Sequence, residues 1–257
     1  MKRGKCHLCG NVTVLSFEHV PPQKAFNSLM VMRLDIDRLM ARVKSGETTF
    51  SEAIDVTEKI YEQKGSGAYT LCQKCNNDTG SWYVNEYVRF TWALYRYCHE
   101  VKPGYGITAR LPVKPLHVLK QILTMFCSAC GAGFAEKTPT LVRYLLNKES
   151  RDFPYGIELW AGLFDVNNSM MSRQHGLSGL ISEGPEKMIV MSEISYPPFV
   201  YVMTVGDTGP PDERLQPIGF MKNFRYDEET ELQLNLFTLS VKGPYPGSYE
   251  SPKATRL

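Results

Sequence analysis

Two short cysteine pairs, Cys6-x-x-Cys9 and Cys72-x-x-Cys75, set the strongest limit on what this chain can fold into. Each pair is a knuckle that turns two sulfurs toward one point. Two knuckles together complete the tetrahedron of a four-thiolate zinc site. Four sulfurs leave no open position, so the expected ion is structural and clamps two distant stretches of chain into register. The other reading of these residues, four buried free thiols, leaves the repeated spacing unexplained. Seven cysteines occur in all, at 6, 9, 72, 75, 98, 127 and 130. In a reducing compartment such paired spacing favours metal over disulfide. No apolar run approaches a membrane span, and the basic N-terminus has no apolar stretch behind it. A cytoplasmic chain without membrane contact is therefore expected.

At 257 residues the chain can bury a sizeable core, as one large domain or two modest ones. The texture changes along it. Apolar spacing at Phe26, Met30, Leu34, Leu39 and Val43 predicts a helix over 23–44. A second helix is expected over 51–63, with Ser51 as cap. A short strand, "AYTLC", leads into Cys72. A long aromatic-rich helix follows Cys75, and its rings read as core rather than as a base-stacking surface. Turn chemistry in "VKPGYG" suggests a boundary near 101. Apolar helices are expected over 115–130 and after Thr138-Pro139. From about 156 the segments are β-rich, ending in an extended tail with partial mobility. The fold class is thus α+β. Residues 1–101 form a zinc-stapled domain with a helical insertion at 23–64. Residues 102–257 form a second α+β domain, with basic helices at 102–151 and a β-rich part at 156–241.

Charge is unevenly spread. Residues 102–151 carry eight basic and two acidic side chains, while residues 152–257 are net acidic. Lys102, Arg110, Lys114, Lys120, Arg143, Lys148 and Arg151 are therefore candidate phosphate contacts. A solvated helical surface is the equal alternative. The third pair, Cys127 and Cys130, falls inside an apolar helix and reads as core packing rather than a second metal site with Cys98 and His99. His117 reads as a core or surface histidine. His175 is expected in a Gly/Ser-rich turn and could serve a substrate site with Arg173. The acidic C-terminal part offers a surface for a second copy or a protein partner.

One histidine stands apart. In "SFEHVPP", His19 ends a short strand that Pro21 and Pro22 stop, and Glu18 precedes it on the opposite face. Asn76 follows the last cysteine of the second knuckle, on the first turn of a helix. In "CNNDTG" the amide and carboxylate oxygens of that first turn are hard donors, suited to Mg2+ or Mn2+ rather than zinc.

The combination resembles the zinc-containing HNH endonucleases, whose core is the treble-clef-like ββα-metal fold. It consists of Cys-x-x-Cys, a strand ending in Glu18-His19 with Pro21 close behind, and Cys-x-x-Cys-Asn76 opening a helix. The resemblance covers about residues 5–99. It implies that His19 is the general base, deprotonating the water that attacks a phosphodiester in DNA or RNA. It implies that Glu18 and Asn76 hold the catalytic divalent ion, and that Cys6, Cys9, Cys72 and Cys75 hold structural zinc. The family has an Asn on the second strand that orients the histidine. The matching stretch here, "GSGAYTLC", has none. A zinc-stabilised binding module that does not cut is the alternative.

Overall fold

The computed structural model describes residues 2–34, 36–46, 48–63, 65–102, 104–169, 171–181 and 188–250. Chain reversal at the first knuckle joins β1 (Arg3–Lys5) to β2 (Val12–His19). After a long excursion the chain returns as β5 (Gly67–Cys72), antiparallel to β2, giving a three-stranded sheet in the order β1-β2-β5. From Cys72 the chain turns directly into α3 (Gln73–Thr79).

The excursion differs from the expected pair of helices. Turns occupy 23–29. They are followed by β3 (Val31–Leu34), α1 (Ile36–Lys44), α2 (Phe50–Val56) and β4 (Lys59–Glu62). Strands β3 and β4 pair with each other, which takes Val31 out of any helix. Thr49, not Ser51, caps α2. Its hydroxyl accepts from Glu52 N while the Glu52 carboxylate accepts from Thr49 N, a reciprocal capping box.

Beyond α3, a π-helical turn at Gly80–Val84 leads into α4 (Asn85–Tyr95) and α5 (Tyr97–Glu100). Residues Gly106–Val113 form a strand, β6, not the expected basic helix. Its burial alternates, with Ala109, Leu111 and Val113 facing inward. The next element, α6 (Pro115–Cys130), is buried on every side from Pro115 to Ser128. A helix buried all round belongs at the centre of a core, and truncating one of its large side chains, such as Phe126→Ala, should cost about 3–5 kcal/mol. Two short helices follow, α7 (Ala132–Lys137) and α8 (Pro139–Leu146). Pro139 starts α8 as expected, although the Thr138 side chain makes no capping bond.

The remaining strands are β7 (Ile157–Phe164), β8 (Arg173–Ile181), β9 (Met188–Tyr196), β10 (Phe199–Val205), β11 (Gln216–Pro217) and β12 (Thr230–Leu239). Together with β6 they form one sheet in the order β6-β12-β7-β10-β9-β8, and β11 adds to β7. All pairings are antiparallel except β12 with β7. Both faces are covered. Phe199, Tyr201 and Met203 join a core cluster that contains Phe126 of α6, while Val200 and Val202 join a second cluster with Leu215, Leu239 and Val241.

The larger cluster also contains Leu8 of the first knuckle and Leu15 and Leu71 of the adjoining sheet. One apolar core therefore runs from the first knuckle to the C-terminal sheet. The segment after β12 is docked rather than loose. Buried Arg173 and Glu193 pair at 2.6 Å, and Arg173 also donates to the carbonyls of Gly243 and Tyr245. Gly247 N and Tyr249 Oη donate to the same Glu193. A buried ion pair needs its spare donors and acceptors satisfied, and residues 243–249 do this. The last part of the tail, 251–257, lies outside the described residues. Among the described residues no helix is long and apolar enough to cross a membrane.

Candidate active site and metal centre

The four cysteines of the two knuckles converge. The Sγ atoms of Cys6, Cys9, Cys72 and Cys75 all lie within 4.8 Å of one another, and Cys9 and Cys72 are 3.9 Å apart. A tetrahedral ion with metal–sulfur bonds of about 2.3 Å has an edge of about 3.8 Å, so the spacing is that of a metal site. Local chemistry builds each half. Gly10, at φ +76°, lets the first knuckle reverse into β2, and its N–H donates to the Cys6 carbonyl at 3.0 Å. In the second knuckle Cys72 caps α3, accepting from Cys75 N at 3.4 Å, while Cys72 N donates to Cys6 Sγ at 3.2 Å. The Cys75 thiol bond and these N–H groups pull Cys6 down to about 4. The same thiol bond pushes Cys75 well up, and burial raises Cys9. A divalent ion would ionise all four.

The first knuckle rests on α6. His7 N donates to the Thr70 carbonyl, His7 Nδ1 lies 3.0 Å from the Ser128 carbonyl, and Thr70 Oγ1 donates to Ser128 Oγ. Cys127 in that helix is fully buried, and its thiol is raised by burial. Cys98 donates its thiol to the Pro198 carbonyl at 3.3 Å. Among the described residues neither belongs to a metal-ligating cluster.

Strand β2 carries the other candidates. A bulge between Ser16 and Phe17 shifts the register, after which Glu18 faces Ala68 and His19 faces Gly67. Phe17 and His19 share one face, their rings 4.9 Å apart edge to face. Glu18 turns to the opposite, buried face, where it is only 7% exposed. Its carboxylate makes no hydrogen bond or ion pair among the described residues, and burial lifts it to about 8. Asn76 is drawn onto the same strand. Its Nδ2 donates to Ser16 Oγ at 3.1 Å and, more weakly, to the Phe17 carbonyl at 3.4 Å. Its Oδ1 accepts no hydrogen bond among the described residues and remains a hard oxygen donor. Two residues on, Asp78 pairs with Lys74 at 2.5 Å on the outside of α3.

Asn27 is a residue that sequence reasoning missed. It is fully buried in the loop after β2 and ties that loop to the start of β5. Its Nδ2 donates to the carbonyls of Pro21 and Ser66 at 2.6 and 2.7 Å, and its Oδ1 accepts from Ser66 N at 2.7 Å. Beside it, Phe26 holds φ +66°, a left-handed conformation that costs a side-chain-bearing residue about 1–2 kcal/mol. Its ring lies against Trp92 and Tyr95, at 4.3 and 3.9 Å between centroids, and its carbonyl accepts from Tyr196 Oη.

The basic candidates do not form one surface. Lys114 lies 3.9 Å from Asp227, Lys148 sits over the Tyr226 ring and Arg151 donates to the Asn223 carbonyl, so these three gather round residues 223–227. Arg110 projects from β6 toward Gln233, and Lys102 and Arg143 are exposed elsewhere. Lys120 is no phosphate contact. It is fully buried, and its Nζ donates to the carbonyls of Tyr144, Asn147 and Lys148 at the end of α8. His117 is buried and stacks on Tyr226 at 4.0 Å. His175 and Arg173 lie on β8, not in a turn, and both bind the docked tail.

Comparisons bring no family to this geometry: no family model, no curated protein and no solved structure matches the chain.

Proposed function

We propose that this protein is a zinc-stapled, metal-dependent endonuclease of the HNH type that hydrolyses phosphodiester bonds in DNA. The observation that carries this reading is the bond from Asn76 to β2. It ties the residue after the last cysteine to the strand that ends in Glu18-His19, beside a four-sulfur cluster. In this reading zinc fills the cluster and fixes α3 against the hairpin. His19 takes a proton from water as that oxygen attacks phosphorus and the bond to the leaving oxygen breaks. Glu18 and Asn76 Oδ1 are the residues that would hold Mg2+ or Mn2+, which supplies charge neutralisation at the phosphate. A carboxylate buried without a partner fits a cation, because ionisation there requires one. Lys114, Lys148 and Arg151 are the basic residues best grouped to meet a phosphate backbone.

The test is plasmid cleavage by the zinc-loaded protein with Mg2+ or Mn2+, comparing wild type with His19→Ala. Cutting that disappears in the variant supports the enzyme. The burial of Glu18 on the face opposite His19 favours a second reading, a zinc-stabilised module that binds nucleic acid or protein without cutting. Equal DNA binding by both proteins with no cleavage by either would decide for that module.

A further inference from the structure

We infer that Asn27 is the positioning residue for His19, closing the end of the β2–β5 strand pair from the loop side; this rests on the reading of His19 as general base. A base must be held within about 0.5 Å and 10–20° of its working geometry, and a strand end followed at once by a turn does not ensure that by itself. Asn27 supplies the constraint. Its three bonds reach Pro21, two residues past His19, and both backbone polar groups of Ser66, the residue before the Gly67 that faces His19. Val20 N donates to the same Ser66 carbonyl at 3.1 Å, so the chain on each side of the His19–Gly67 pair is bound to one amide and one carbonyl.

The surroundings over-determine this arrangement. Gly65 adopts φ +86°, and a Cβ there would lie 2.1 Å from the Asn27 carbonyl oxygen and 2.6 Å from its Oδ1. A Cβ on Gly67 would lie 2.3 Å from the Glu18 carbonyl oxygen. Neither position accepts a side chain, so β5 cannot present an amide of its own from residue 67. The residue before Asn27 is the left-handed Phe26, pinned between Trp92, Tyr95 and Tyr196. A local conformation that is unfavourable alone persists where its neighbours fix it, and such places gather at functional sites. Here the fixed element is the turn directly behind the proposed base. The orienting amide thus comes from the loop and reaches to the strand.

The experiment uses the full-length, zinc-loaded protein and the conservative variant Asn27→Asp, which keeps the acceptor for Ser66 N and loses both donated bonds. Two readouts are taken: the long-range proton–nitrogen spectrum of the His19 imidazole, and kcat and KM for plasmid cleavage with Mn2+. The expected result is a shift or broadening of the His19 ring signals, with those of His117 and His175 unchanged. With it should come a fall in kcat of at least tenfold, with KM and zinc content near wild type. Unchanged His19 signals, or a kcat within twofold of wild type, overturn the inference. If the Asp variant loses zinc or cooperative unfolding, Asn27→Ser, which fits the same space, takes its place with the same two outcomes. Wild-type cleavage by His19→Ala would remove the nuclease reading, while the ring spectrum would still show whether Asn27 fixes that imidazole.

Discussion

Glu18→Gln should make the protein more stable at neutral and alkaline pH and flatten its dependence on pH. The carboxyl lifts from an ordinary 4.5 to about 8 because it is buried without a partner. A folded-state value above the unfolded one means the folded protein holds the extra proton between these two values. Stability from this group is therefore complete below pH 4.5 and is lost as pH rises toward 8. Each tenfold step is about 1.36 kcal/mol, so wild type should lose about 3 kcal/mol from this group between pH 5.5 and 8. The glutamine variant has nothing to ionise at this position. Urea unfolding of the zinc-loaded protein, free of other divalent ions, would show the difference. At a denaturant slope of about 3 kcal/mol per M, the gap between the two midpoints should widen by about 1 M across that range. Adding Mn2+ should reduce the wild-type loss and leave the variant unmoved, since an ion bound to the carboxylate stabilises only the folded, ionised form. Parallel pH profiles for the two proteins would refute the reasoning.

Cys72→Ser removes one of four sulfurs and the cap of α3, so metal analysis should fall from one zinc per chain toward none and circular dichroism should show a lost or strongly lowered transition; a variant that keeps stoichiometric zinc and its melting temperature would argue against the staple. Lys120→Met keeps the volume but leaves three carbonyls at the end of α8 without their donor, which should cost about 2 kcal/mol in chemical denaturation; a change below about 0.5 kcal/mol would mean that water or local shifts satisfy them.

The metal cluster was legible in the sequence because each knuckle is local: four residues set the geometry of two sulfurs, whatever the rest of the chain does. Helix α6 was legible for a similar reason, being rich in apolar residues and opened by Pro115. Only the first part of the segment 23–44 was misread, because tertiary bonds override its helical spacing there; its last part, Ile36–Lys44, is a helix as expected. Asn27 pulls the first part into turns, and β4 claims Val31–Leu34 as a partner. Strand β6 did carry its signal, since Ile107, Ala109, Leu111 and Val113 alternate in period two. Reading the stretch by charge concealed it. Asn27 itself could not be found this way. Its partners are backbone atoms, two of them far along the chain at Ser66, and backbone atoms leave no trace in composition. The position of Glu18 opposite His19 follows from strand alternation, but its isolation in the interior depends on neighbours the alternation does not name.

The continuity of the apolar core has a bearing on how such a protein can be divided. Phe90 of α4 stacks on Phe199 of β10 at 5.0 Å, and Leu8 and Leu71 belong to the same buried cluster as Leu163 and Leu236. A fragment ending near residue 101 would carry every cysteine of the cluster and every candidate catalytic side chain, yet leave one wall of its interior open to water. The small sheet is thus no cassette to be lifted out and grafted elsewhere, and its working lifetime in a cell is tied to the integrity of strands that touch none of the chemistry.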